Sequence, residues 1–163
     1  MRCSETGMEQ KFEISSLQIQ NTTALVALLQ SQSSEYVRFF TPFSFDHATI
    51  LKLLTDRGQD LFYGIHWQQR LIGFSMLRGW DAGYEVPAYG VLIDEKYSGY
   101  GLATVTLRLV KAVCKMRGSP GIMLKVHPAN AGAERLFERA GFFRVGIEVE
   151  SGNLIYRFNF NGL

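Results

Sequence analysis

The chain has 163 residues, of which 47% are hydrophobic and 20% are charged, and its formal net charge at pH 7 is +2. This length and composition are typical of one globular domain with a sizeable core, and they exclude an intrinsically disordered chain. The small net charge and the lack of a basic stripe argue against a nucleic-acid partner. No apolar run approaches the ~20 residues of a membrane span, so no membrane partner is expected.

The sequence shows no pattern typical of secretion, disulfide pairing or metal binding. Residues 1–13 have no apolar core of the kind that secretory signals carry. Cys3 and Cys114 are far apart, and Cys114 lies in an apolar helical run that favours a core position. His47 and His66 have no neighbouring ligands at a metal-binding spacing. We therefore expect a cytoplasmic protein without a metal site.

The first half of the chain predicts one strand, two helices and a pair of strands. The run Asn21-Thr22-Thr23 is typical of a helix cap, and either Ser44 or Asp46 is expected to cap the second helix. Two apolar runs with a short polar connection predict a hairpin. The predicted bounds are 12–19 for the first strand, 24–30 and a stretch ending at 54 for the helices, and 61–67 and 71–77 for the hairpin.

The second half alternates strands with helices. Pro cannot donate to a sheet ladder and Gly is common at bulges, so Pro87 and Gly90 predict a distortion in a strand over 85–93. The other predicted elements are a helix over 102–116, a strand over 122–126, a helix over 131–140, and strands over 142–149 and 154–160. This order predicts an α/β (α+β) fold. We expect a mixed, mostly antiparallel central sheet flanked by about four helices, with parallel pairing where a helix intervenes.

A glycine-rich turn between a predicted strand and a predicted helix carries the clearest chemical signal. It reads Ser98-Gly99-Tyr100-Gly101-Leu102-Ala103. Such a turn leaves backbone N–H groups pointing outward at the positive end of the helix dipole, where a phosphate or pyrophosphate binds. Glycine also lets the anion approach the backbone without a Cβ in the way. The turn therefore predicts a phosphate-bearing cofactor.

A second motif follows after one helix and one strand. It reads Val126-His127-Pro128-Ala129-Asn130, then Ala133, then Leu136-Phe137-Glu138-Arg139-Ala140-Gly141-Phe142. The two motifs in this order resemble the GNAT superfamily of acetyl-CoA-dependent N-acetyltransferases. The glycine turn matches both small positions of the family's loop but has Ser98 where the family has Arg or Gln. The resemblance implies a single acetyltransferase domain over residues 1–163, with acetyl-CoA as co-substrate.

The resemblance also implies which residues bind the co-substrate. The backbones of Val91 and Ile93 would pair with the pantetheine arm as an added strand does. Asn130 matches an Asn that contacts the cofactor in the family, and the same side chain is expected to cap the following helix. The cofactor-binding residues implied in this way are Val91, Leu92, Ile93, Ser98, Gly99, Tyr100, Gly101, Leu102, Ala103, Asn130 and Phe137.

In this family an amine attacks the acetyl thioester directly, which requires a route for the ammonium proton. Glu85 is the candidate base, since its position thirteen residues ahead of Ser98 resembles that of the basic Glu in histone-type members. Partial burial beside Trp80 and Tyr84 is expected to raise the pKa of this carboxyl group. Asp81 is the rival base.

The same reaction needs a donor for the developing oxyanion and sometimes an acid for the thiolate. The resemblance implies that the donor is a backbone N–H in the strand before the glycine turn, at Tyr89 or a neighbour. Many members carry a Tyr acid where this chain has Phe137. Tyr100, Tyr156 or water is left as the alternative acid.

The acceptor is predicted from residues 78–85, which combine aromatic rings with two acids. Aromatic faces stack on sugars and carboxylates bind cationic amines, so we expect the primary amine of an amino sugar or sugar nucleotide. A protein or peptide amine is the alternative, which an open groove beside Glu85 would favour, and a non-catalytic acyl-CoA-binding module is a third.

Two aromatic sets have roles that the sequence leaves open. The first set lies between the first two helices and is expected to be mostly core, with one or two rings lining the acceptor pocket. Its members are Tyr36, Phe39, Phe40 and Phe43. The second set alternates along the last strand and would serve either the core or a homodimer. Its members are Leu154, Tyr156, Phe158 and Phe160.

Overall fold

The computed structural model describes residues 10–160, and among them it has seven strands and five helices. The strands are β1 (Phe12–Ser16), β2 (Leu61–Trp67), β3 (Arg70–Arg78), β4 (Ala88–Ile93), β5 (Gly121–Val126), β6 (Phe143–Ile147) and β7 (Leu154–Asn159). The helices are α1 (Thr22–Gln30), α2 (Ser34–Val37), α3 (His47–Asp56), α4 (Leu102–Met116) and α5 (Ala131–Arg139). Within this part of the chain, no helix is long and apolar enough to cross a membrane.

All strands join one sheet in the order β1-β2-β3-β4-β5-β7-β6. Every neighbouring pair is antiparallel except β4 and β5, which are parallel because α4 connects them. The mixed, mostly antiparallel sheet predicted from the sequence is thus confirmed. Cys3 lies outside the described residues.

The sheet carries apolar side chains on both faces, and helices cover them. Helices α4 and α5 pack on one face, where Tyr89 and Tyr156 lie in the core, while α1 and α3 cover Phe74 and Leu92 on the other face. Leu154 is buried in the first of these clusters, and Phe158 and Phe160 pack against it. The apolar alternation of the last strand therefore serves the core.

Local signals located most elements, and two boundaries differ from the prediction by three residues, the others by at most two. Strand β1 ends at Ser16 rather than at residue 19, because a 3-10 turn over Ile19–Asn21 leads directly into α1. Asp46 caps α3, where its carboxylate accepts the backbone N–H of Thr49 at 2.8 Å, so of the two candidate caps Asp46 is confirmed. The β2–β3 hairpin turns within two residues, Gln68 and Gln69, both at positive φ.

The second difference concerns β4, which begins at Ala88 rather than at residue 85. The distortion expected at Gly90 is absent from the side facing β3, since the register runs without a shift from Arg78–Ala88 to Gly73–Ile93. The irregularity is on the other side of the strand. There β4 pairs with β5 only at Ala88 and Met123.

Candidate active site

The two parallel strands in the middle of the sheet separate after a single pairing. Met123 donates its N–H to the carbonyl of Pro87 at 3.0 Å, and beyond Ala88 no further residue of β4 pairs with β5. We call the space between the strands beyond that point the β4–β5 gap. A gap in the middle of a sheet leaves backbone donors and acceptors without partners, so it is a site where an extended ligand can add hydrogen bonds.

The direction of the free backbone groups follows from the alternation along β4. Asp94 donates its N–H to Ile72 of β3 at 2.8 Å, so residues an even number of positions away also point to β3. Val91 and Ile93 therefore direct their N–H and C=O groups into the β4–β5 gap, whereas the backbone of Leu92 points to β3. Of the strand residues expected at the cofactor, Leu92 is thus not brought to the gap.

The glycine turn lies at the N-terminus of α4, next to the C-terminal end of β4. Gly99 and Gly101 have φ angles of +86° and +78°, and a Cβ atom at either would meet nothing within 4 Å. The first helical hydrogen bond runs from Val105 N–H to the carbonyl of Gly101, so the N–H groups of residues 102–104 have no partner within the helix. The turn thus presents free donors to open space, and it fits a pyrophosphate.

Ser98 takes little part in this cradle. Its hydroxyl donates to the carbonyl of Glu95 at 2.9 Å, and its N–H donates to the same carbonyl at 3.3 Å. The hydroxyl and the N–H of Ser98 are therefore both used inside the preceding turn.

The second motif forms the end of β5 and the start of α5. Asn130 caps α5, where its Oδ1 accepts the N–H of Ala133 at 3.2 Å. His127 accepts the N–H of Ala129 through Nδ1 at 3.0 Å and stacks on Phe39 at 4.4 Å between ring centroids. His127 is therefore held in a structural role. Gly141, at a φ of +91°, ends the helix.

These features agree with a family model of the acetyltransferase (GNAT) family, which matches residues 25–142. The chain belongs to the GNAT acetyltransferase family. It is an acyltransferase that uses acetyl-CoA, and the open glycine turn and the β4–β5 gap fit that co-substrate. No curated protein matches the sequence significantly.

Solved structures of GNAT proteins share the fold at low sequence identity. PaiA N-acetyltransferase of Thermoplasma acidophilum, in complex with coenzyme A, is 16% identical with a TM-score of 0.77, covering 92% of this chain and 99% of that one. The ribosomal-protein-S18-alanine N-acetyltransferase of Escherichia coli is 18% identical with a TM-score of 0.71, covering 94% and 99%. The GNAT domain of S. lividans PAT is 17% identical with a TM-score of 0.77, covering 90% and 89%.

The two candidate bases of this GNAT chain lie in different settings. Glu85 is exposed on the segment before β4, so the partial burial expected for it is wrong. Asp81 accepts the N–H groups of Gln59 at 2.6 Å and Gly58 at 2.9 Å. These hydrogen bonds, with that to Gln59 the largest cause, lower the pKa of Asp81. Asp81 therefore holds two loops together, whereas the exposed Glu85 carboxylate forms no side-chain hydrogen bond or ion pair with the described residues.

Tyr89, the first candidate for the oxyanion donor, lies at the last pairing between β4 and β5. In a parallel pairing a residue bonds to both neighbours of its partner, so the carbonyl of Met123 lies opposite the N–H of Tyr89. The Tyr89 side chain is buried, and its hydroxyl bonds to Thr106 Oγ1 at 2.6 Å. Val91 is the first residue of β4 whose N–H faces the β4–β5 gap.

Three aromatic residues were considered as acids or cofactor contacts, and they differ in how far they are buried. The Phe137 side chain is buried and meets Tyr89 edge-on, at 6.1 Å between ring centroids. Tyr156 donates its hydroxyl to Glu134 at 2.9 Å in a buried position, away from the gap. Tyr100 is 74% exposed on the glycine turn. Of the three, only Tyr100 remains open to a ligand.

Tyr36 reaches the gap from a distant part of the chain, although the sequence suggested only a general role for it. Its hydroxyl donates to the carbonyl of Ile93 at 2.6 Å, across a separation of 57 residues. Ser33 and Gln32 hold the same segment to Glu95, just after β4. No local signal could have located this contact, because it depends on how α2 packs against the end of β4.

A groove of about 380 Å³ lies beside Glu85 on the segment before β4. Met123 lines it, and Met123 is the residue that pairs with Ala88 where the β4–β5 gap closes. Tyr84, 68% exposed, and Val145, 51% exposed, form its rim, so the groove is open to solvent. We call it the Glu85 groove. Its lining residues are Gly83, Tyr84, Glu85, Val86, Met123, Val145, Ile155 and Arg157.

Proposed function

We propose that residues 1–163 form one acetyltransferase domain that acetylates a primary amine of a protein or peptide. The observation that carries this proposal is the open Glu85 groove, which begins beside the closed end of the β4–β5 gap. A peptide needs a groove that is open along its length, whereas a small sugar favours an enclosed pocket. The apolar wall of Val86, Met123 and Ile155 suits side chains of a peptide.

Two of the residues that suggested a sugar acceptor, Trp80 and Asp81, already contact other parts of the protein. Trp80 lies under the guanidinium of Arg117, at 4.4 Å from its ring centroid, and Asp81 is bonded to backbone N–H groups. An amino sugar or sugar nucleotide remains the second candidate, because the exposed Tyr84 and the acidic Glu85 line the same groove. That pair offers a stacking face and an anion for an ammonium group.

The co-substrate would lie along groups that the structure leaves free. The N–H groups at the start of α4, together with Gly99 and Gly101, would hold the pyrophosphate. The backbone of Val91 and the N–H of Ile93 would pair with the pantetheine arm, since the Ile93 carbonyl already accepts the Tyr36 hydroxyl. The amide of Asn130 would contact the arm from α5. The bound co-substrate supplies the acetyl thioester.

The chemical step requires an oxyanion donor, a proton acceptor and a proton donor. The Val91 N–H would stabilise the negative charge that develops on the thioester oxygen. Glu85 would accept the proton of the acceptor ammonium, directly or through water in the Glu85 groove. The departing thiolate would be protonated by water or by a hydroxyl near the gap, for which Tyr36 and Tyr100 are the available candidates.

Thiol release from acetyl-CoA, measured with a panel of amines, tests the proposal. We expect peptides with a free N-terminus or a lysine to be acetylated with a kcat/KM at least about tenfold above that of amino sugars and sugar nucleotides. Turnover of the sugars alone would establish the second candidate. Binding of acetyl-CoA without thiol release from any amine would indicate a non-catalytic acyl-CoA-binding module.

A pair of exposed aromatic residues provides a matched control for the groove. Tyr84→Ala should raise the KM for the peptide and leave the KM for acetyl-CoA unchanged, since Tyr84 lies on the rim of the Glu85 groove. Phe12→Ala removes a comparably exposed ring from β1, at the opposite edge of the sheet, and should change neither. Equal effects of the two variants would contradict the assignment of the acceptor to this groove.

A cytoplasmic location and a homodimer remain predictions of the sequence. The proposed chemistry needs neither a second copy nor a particular compartment. Light scattering coupled to size-exclusion chromatography measures the oligomeric state directly, and fractionation of cells measures the location.

A further inference from the structure

Two opposite charges line the Glu85 groove without neutralising each other. Glu85 lies on the segment before β4, and Arg157 lies on β7. Among residues 10–160, neither side chain forms an ion pair, either with the other or with a third residue. A carboxylate and a guanidinium that stay apart in one groove are complementary to a ligand that carries an ammonium group and a carboxylate.

The guanidinium group of Arg157 is only partly used by the protein. Its Nε donates to Asn159 Oδ1 at 2.8 Å, while its two terminal nitrogens donate to no residue in the described part of the chain. Lys125, two residues beyond Met123 on β5, is in contrast already paired with Glu148. The terminal nitrogens of Arg157 are therefore available for a bidentate contact with a carboxylate.

The register of the sheet places Arg157 in line with the closed end of the β4–β5 gap. Ala88 pairs with Met123 at that end, and Met123 pairs in turn with Arg157 on β7. Side chains that are paired across a sheet share one face, and Met123 and Arg157 both line the Glu85 groove. A straight line across the strands thus leads from the closed end of the gap to Arg157.

The length of this line matches two residues of an extended peptide. The amine would attack between β4 and β5, and from there to β7 is one and a half strand spacings, or about 7 Å. An extended chain advances about 3.5 Å per residue, so two residues also span about 7 Å. A peptide whose N-terminal amine reaches the closed end of the gap therefore places its second side chain at Arg157.

We propose that the acceptor is the N-terminal amine of a peptide whose second residue is acidic, and that Arg157 binds the carboxylate of that residue. The inference rests on the proposed peptide acceptor and specifies its sequence at one position. Glu85 would face the amine and Arg157 would face the acid, so the two charges of the groove set the direction in which the peptide lies. Arg157 determines specificity here, because it lies one strand away from the reacting atoms.

Thiol release from acetyl-CoA with three matched peptides tests the assignment. The peptides carry Glu, Gln or Arg at the second position, share the rest of their sequence and contain no lysine, so the N-terminal amine is their only acceptor. For the natural chain we expect a kcat/KM about 10- to 100-fold higher for the Glu peptide than for the Gln peptide, since the Gln peptide lacks a charge-assisted contact. The Arg peptide should be the poorest acceptor, because it places two guanidinium groups together.

Substitutions of Arg157 should change this order in a defined way. Arg157→Gln should bring the kcat/KM values of the Glu and Gln peptides within about threefold of each other, with the Kd of acetyl-CoA unchanged. Arg157→Glu should reverse the order and favour the Arg peptide, a gain that a loss of structure cannot produce.

Arg144→Gln is the matched control, since Arg144 is an exposed arginine that pairs with Tyr156 and so lies on the other face of the sheet. It should retain the full preference for the Glu peptide. Equal kcat/KM values for the three peptides in the natural chain would overturn the inference and leave the peptide acceptor in place, and so would a preference for Glu that persists in Arg157→Gln. Acetylation of amino sugars and of none of the peptides would instead overturn the proposed function, and the inference with it.

Discussion

The glycine turn can be tested by placing a branched side chain on Gly101. This residue has a φ of +78° and a ψ of +14°, and a Cβ there meets no atom within 4 Å. The substitution Gly101→Val therefore causes no clash within the protein. Its branch would project into the open space in front of the N–H groups of α4, where the pyrophosphate is expected.

The structural cost of this substitution is modest and can be estimated. A left-handed conformation costs an L-residue about 1–2 kcal/mol, and β-branching places it at the upper end of that range. For a domain of this size, 1 kcal/mol lowers the melting temperature by roughly 2–4 °C. We expect Gly101→Val to melt about 4–8 °C below the natural chain, still fully folded at 25 °C.

Gly118 provides a control with the same backbone strain. It lies just past the other end of α4 at a φ of +72°, and a Cβ there also meets nothing within 4 Å. Gly118→Val should lose a similar amount of stability but bind acetyl-CoA normally. Gly101→Val should lose at least about 100-fold in affinity, because the blocked cradle contributes several charge-assisted hydrogen bonds.

Calorimetric titration with acetyl-CoA and a thermal melt of each variant separate the two effects. The reasoning would be refuted if Gly101→Val bound acetyl-CoA with an unchanged Kd. It would also be refuted if Gly118→Val lost affinity to the same extent, since the loss would then follow from strain in α4 and not from the position of the phosphate.

Three further predictions concern titratable groups. Asp81→Asn should cost about 1 kcal/mol at neutral pH, seen as a lower melting temperature, and leave turnover unchanged. The folded-state pKa of Asp81 is lowered, so its contribution is present above the unfolded pKa and disappears as the pH falls through the folded value. The melting difference between the variant and the natural chain should therefore shrink in acid. Glu85→Gln, the same isosteric change, should lower kcat about 10²- to 10⁴-fold without changing the Kd of acetyl-CoA. Near-normal turnover in Glu85→Gln would transfer proton acceptance to water. Burial raises the pKa of the Cys114 thiol to about 12, so mass spectrometry should find its peptide unmodified after iodoacetamide treatment of the native protein at pH 8 and modified in denaturant. Modification of the native protein would contradict the buried position.

The sequence by itself determined the features that depend on neighbours along the chain. The glycine turn, the Asp46 cap, the Asn130 cap and the closing Gly141 are all set by backbone conformation and hydrogen bonds within a few residues. Hydrophobic periodicity located the strands and the longer helices for the same reason, but not the four-residue helix α2. These local rules were sufficient to predict a mixed α/β fold and a phosphate site, and the resemblance of the two motifs added the GNAT family.

The position of side chains around the site was decided only by the tertiary structure. Asp81 and Glu85 are similar carboxylates four positions apart, yet one is bonded to a loop that begins 23 residues earlier while the other stays exposed. Tyr36 meets the backbone of β4 across 57 residues. Burial and hydrogen bonding of a side chain depend on all the elements that pack around it, and a single sequence does not specify those elements at each position.

The β4–β5 gap is a further feature that the sequence predicted only in part. Pro87 and Gly90 predicted an irregular strand, but the irregularity lies in the pairing with β5 and not with β3. Which side of a strand loses its partner depends on how the next strand packs, and β4 and β5 share one core cluster with α4, the helix that connects them. The sequence therefore predicted a phosphate site at the glycine turn, while the tertiary structure decided which backbone groups face the β4–β5 gap and which of the two carboxylates stays exposed.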